Sequence, residues 1–69
     1  MTTDTAIAAL QDRIADLTWD IEHLTALAQE RFDRGHTAGN LDAVARSERL
    51  CDEREDLRAE LRSLQSKAA

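Results

Sequence analysis

Asp20 and His23 stand three residues apart in the stretch "ADLTWDIEHL", and on a helix such positions share one face. A D-x-x-H pair can ligate a divalent cation when a symmetric copy supplies more ligands, as inward-pointing carboxylates do in di-metal bundles. In the heptad described below this pair points outward or sideways, so a solvated pair is expected and no metal site. His36 falls in a glycine-flanked turn. A histidine there can sense pH or touch a partner, but simple solvation is the plainer expectation. Cys51, the single cysteine, lies on an apolar stripe among acidic residues and reads as a small buried hydrophobe rather than a reactive thiol. There is no Ser–His–Asp set, no glycine-rich phosphate loop and no zinc spacing. Paired carboxylates without a concave pocket do not make a hydrolase. The expectation is a non-enzymatic protein without a cofactor.

Composition narrows the class further. The chain has 69 residues, no proline or tyrosine, two glycines, one Phe and one Trp, with a third of its residues charged. That is one domain at most, and a helical one. Net charge is −5 with acids and bases interleaved, so nucleic acid is not the expected partner, because phosphate binding needs concentrated positive charge. No apolar run approaches the ~18 residues of a membrane span. The start lacks the basic and apolar regions of a secretory signal. A lone cysteine fits a reducing cytoplasm, which is the expected location. Eight arginines against one lysine, with abundant alanine, suggest a high-GC bacterial or phage origin.

The elements that position these residues follow from periodicity. Ile7, Leu10, Ile14, Leu17, Ile21, Leu24 and Ala28 alternate at spacings of three and four, a heptad with Ile at a and Leu at d. This predicts a helix over about 5–34, capped by Asp4 with Thr3. "RGHTAGNLD" then predicts a turn over 35–40. Gly35 takes the left-handed position after the helix, Gly39 loosens the backbone, Asn40 caps the next helix and Asp42 sits in its first turn. The second helix is predicted over about 41–67. Its stripe of Leu50, Leu57, Leu61 and Leu64 extends back weakly through Ser47 and Ala43. A second stripe of Leu41, Val44 and Cys51 is offset by one residue, so the apolar face is expected to shift phase near Leu50 and Cys51.

A connection this short implies an antiparallel hairpin. Its register would set Ile14 level with Leu61, Leu17 with Leu57, Leu24 with Leu50 or Cys51, and Ala28 with Ser47. The alternative is one long helix broken only at Gly35–Gly39 and paired with another chain. Arg31 takes a d position and Arg54 falls on the helix 2 stripe. Charged residues in a seam can fix register and oligomer state. Arg54 is expected to pack its stem and reach Asp16 or Asp20 with its head.

Two helices cannot enclose each other's apolar stripes, and a chain this small usually needs a staple. Near the turn the apolar surface broadens through Leu27, Phe32, Leu41, Val44 and Cys51. The expected assembly is a homodimer of hairpins forming a four-helix bundle. Trp19 falls at f, nearly opposite the seam, with Ala8, Ala15 and Ala26 on the same outer face. Trp is enriched at binding hot spots. Trp19, Ala15, Ala26, Leu27 and Phe32 are therefore the candidate partner-binding residues, whether toward a second copy or toward another protein.

The function expected from the sequence is interaction: a small regulatory or assembly protein that self-associates and presents a helix face to a protein partner. The alternatives are a nucleic-acid-binding bundle using Arg31, Arg34, Arg46 and Arg49, or a metal- or ligand-binding bundle using Asp20 and His23.

Overall fold

The computed structural model describes residues 2–68. They form two helices, α1 (Thr3–Asp33) and α2 (Thr37–Ala68), packed along their length. No strand occurs among the described residues. The molecule is an all-α hairpin measuring 50 × 16 × 14 Å. Antiparallel packing follows from the bonds between the helices. Arg13, early in α1, pairs with Glu53, while Arg31, late in α1, bonds Gly39.

Both helix starts come earlier than the periodicity suggests. Thr2, not Asp4 or Thr3, caps α1; its backbone is extended and its Oγ1 accepts from the Thr5 N–H at 3.2 Å. Asp4 instead lies in the first turn, where its charge complements the helix dipole. The turn is tighter than the expected 35–40. Gly35 has φ +76°, a left-handed value that glycine adopts without a Cβ penalty. The Gly35 N–H donates to Phe32 O at 3.0 Å and the His36 N–H to Arg31 O at 2.8 Å. These two bonds are the Schellman pattern, which satisfies orphan carbonyls at a helix end.

Because that motif reverses the chain in three residues, α2 begins at Thr37. Gly39 and Asn40 are therefore helical rather than part of the turn. Asn40 does not cap the helix; its Nδ2 donates across the seam to Ala28 O at 2.8 Å. Asp42 lies beyond the first turn, which holds no acid, and pairs with Arg46.

The shorter turn also moves the register. Among the described residues, four side-chain bonds between the helices join 28 with 40, 31 with 39, 18 with 54 and 13 with 53. In each, the α2 residue comes three or more positions before the expected level. The α2 seam does not shift phase. Ala43, Ser47, Leu50, Arg54, Leu57, Leu61 and Leu64 are all buried or half-buried, one continuous heptad stripe. Leu41 is 62 % exposed, Val44 is exposed and Cys51 is only half-buried, so the second stripe lies off the seam. The small residues Ala28 and Ala43 are both buried near the turn.

Burial is incomplete. Of the ten aliphatic residues expected in the seam, only Leu17 and Ile21 are buried. Ile7, Leu10, Ile14, Leu24, Leu50, Leu57, Leu61 and Leu64 are half-buried. No helix among the described residues is long and apolar enough to cross a membrane.

Candidate functional site

Trp19 and His23 are one helical turn apart, and their rings stack with centroids 4.1 Å apart and planes at 21°. The pair forms one wall of an open groove of about 500 Å³. Leu24 and Leu50, both half-buried seam residues, give the groove its apolar floor. Asp20 lines it from α1, and Arg46 and Arg49 line it from α2. A smaller groove of about 300 Å³, lined by His23, Leu24, Ala26, Leu27 and Glu30, shares His23 and Leu24 with the first. Together they make a strip along one flank of the hairpin.

Its charges are unevenly engaged. Arg46 Nε lies 3.3 Å from Asp42 Oδ2. Among the described residues neither Asp20 nor Arg49 makes an ion pair. A carboxylate and a guanidinium thus face the same apolar groove, both available to a partner. Trp19 remains 60 % exposed.

The expected binding residues do not form one surface. Trp19 lines the larger groove, and Ala26 and Leu27 line the smaller. Ala15 is exposed and lines neither groove. Phe32 is 67 % exposed, but five positions beyond Leu27 it sits about 140° around the helix, on the opposite flank. Leu24, Leu50, Arg46 and Arg49 join Trp19 in the groove, a grouping that the heptad pattern does not contain. The available signal was the placement of Arg46 and Arg49 one position before the seam residues Ser47 and Leu50, which sets them on one flank of α2.

Arg31 and Arg54 lie within the seam, both half-buried. Arg31 Nη1 donates to Gly39 O at 2.9 Å. Arg54 Nη1 donates to Thr18 Oγ1 at 3.2 Å rather than reaching Asp16 or Asp20. Its Nε is buried without a hydrogen-bond partner.

No three His, Cys, Asp or Glu side chains among the described residues come together to hold a metal. Asp20 and His23 therefore lack a third ligand within the described part of the chain. The proposed basic cluster is largely engaged as well. Arg31 bonds a carbonyl, Arg34 pairs with Glu30 at 2.7 Å and Arg46 pairs with Asp42, leaving Arg49. His36 is exposed in the turn, where its backbone N–H closes the Schellman pattern.

Comparison with protein-family models, curated proteins and solved structures finds no match.

Proposed function

We propose that this chain is a non-enzymatic interaction protein, a helical hairpin that pairs into a homodimeric four-helix bundle and presents a helix face to a protein partner in a regulatory or assembly role. The observation that carries this reading is the incomplete seam, in which eight of ten large aliphatic residues remain half-buried. The solvent-accessible surface is 4982 Å². A compact monomer of 7.7 kDa would expose roughly 4,300 Å². The excess, about 650 Å², approaches the ~800 Å² that each partner gives to a standard interface. A second hairpin would cover that surface with apolar groups and set specificity with the charged rim. In a reducing cytoplasm the lone Cys51 thiol would stay unpaired, so association would rest on packing alone.

Thermal unfolding at several protein concentrations tests the reading. Pairing couples folding to association, so Tm should rise with concentration. A Tm independent of concentration over two decades would sink it.

A further inference from the structure

We infer that the Trp19 flank is where a second copy of this chain docks, related to the first by a two-fold axis, with Asp20 of each chain meeting the partner's Arg49. This inference rests on the self-association reading and specifies which surface carries it.

Position favours this flank. Trp19 lies midway along α1 (Thr3–Asp33), so an axis beside it falls near the middle of a 50 Å hairpin. A partner turned about that axis overlaps most of the hairpin's length and lays four helices side by side. The other large exposed hydrophobic side chains among the described residues, Phe32, Leu41 and Val44, cluster toward the turn in sequence. An axis there would overlap only the tips.

Charge favours it too. A two-fold interface must be complementary to itself, so that if one residue meets another across it, the reverse contact also forms. The groove carries one carboxylate, Asp20, and two guanidiniums, Arg46 and Arg49; Arg46 is taken by Asp42 on its own helix, while Asp20 and Arg49 are in no ion pair among the described residues. Turning a copy onto this surface makes two equivalent pairs from these four groups. Between them lie Leu24, Leu50 and the Trp19 ring, an apolar centre with a charged rim, as in stable interfaces.

Preorganisation adds to this. The stack on His23 restricts the indole before the partner arrives, which lowers the entropy lost on docking.

The lone Trp reports directly on the site. Trp19 emission and acrylamide quenching should be followed across a dilution series, with sedimentation equilibrium at the same concentrations. The expected result is a blue shift and a severalfold loss of quenching as the dimer forms. Trp19→Ala and Arg49→Glu should each keep monomer helicity by circular dichroism yet weaken association by about tenfold or more. Asp20→Arg combined with Arg49→Glu should recover most of the lost affinity, because the exchange restores both ion pairs. A dimer in which Trp19 stays as quenchable as in the monomer overturns the inference. So does a dimer indifferent to Trp19→Ala and Arg49→Glu but lost with Phe32→Ala, and in both cases self-association itself stands. A monomer at every concentration defeats the self-association reading and this inference with it.

Discussion

Arg54 of α2 crosses the seam to Thr18 of α1, its Nη1 donating to Thr18 Oγ1 at 3.2 Å while its Nε stays buried without a partner. The same hydroxyl donates to Ile14 O at 2.9 Å, so Thr18 is both donor and acceptor at the middle of the hairpin. This is the one point where the continuous α2 stripe carries a charge.

An asymmetry between two substitutions follows. Thr18→Val keeps the shape but takes the acceptor from the part-buried Arg54 Nη1, and should cost about 1–3 kcal/mol. Arg54→Met removes the donor and its unsatisfied nitrogen while keeping an apolar stem in the seam. It should unfold within about 1 kcal/mol of the parent or above it. Denaturant unfolding at fixed protein concentration measures both; equal losses would mean that the buried Nε carries no penalty.

Asn40 separates the two roles available to it. As a helix cap it would tolerate Asp, an equally good capping residue. As a donor to Ala28 O at 2.8 Å it would not, because a carboxylate cannot donate to a carbonyl. Asn40→Asp should therefore destabilise at neutral pH by about 1–2 kcal/mol, nearly as much as Asn40→Ala. Retained stability in Asn40→Asp would restore the capping role.

The two glycines should respond differently to alanine. Gly35 has φ +76°, so Gly35→Ala should lower stability by about 1–2 kcal/mol, with Gly35→Asn losing less. Gly39 is helical, and a Cβ there would lie 3.0 Å from Arg31 Cδ. Alanine would gain about 1 kcal/mol of helix propensity but press on the Arg31 side chain that bonds Gly39 O. In an Arg31→Ala background that pressure is gone and Gly39→Ala should stabilise by close to the full amount. A double-mutant cycle reads the coupling, and strict additivity would show that Arg31 yields freely.

Nucleic-acid binding should be weak. Of Arg31, Arg34, Arg46 and Arg49, the first three are engaged by Gly39 O, Glu30 and Asp42. A titration with duplex and single-stranded oligonucleotides at low salt should show no saturable complex. A complex whose affinity falls steeply with salt would contradict this.

The heptads were legible because burial follows them directly. Leu17 and Ile21 lie where the spacing of three and four puts them, and Gly35 takes the left-handed turn its position suggests. The turn length was not legible, since Gly39 and Asn40 are turn-forming types, while the backbone bond from Asn40 N–H to His36 O and the bonds from Arg31 and to Ala28 that accompany the helical course appear only in the packed hairpin. That misjudgement carried into the register. The expected phase shift had a separate source: Leu41, Val44 and Cys51 form a more apolar stripe than Ala43, Ser47 and Arg54, and only the packed partner helix shows that the latter line is the seam. Trp19 was legible as an outlier from the a/d pattern. Its companions Arg46 and Arg49 come from the other helix, so only the packed hairpin brings them to the same groove.

The central claim is that the hairpin completes its burial with a second copy of itself. Sedimentation equilibrium tests it most directly. The account predicts a mass twice the 7.7 kDa of the chain at micromolar and higher concentrations, dissociating on dilution. A mass of one chain throughout that range, with full helicity retained, would contradict it.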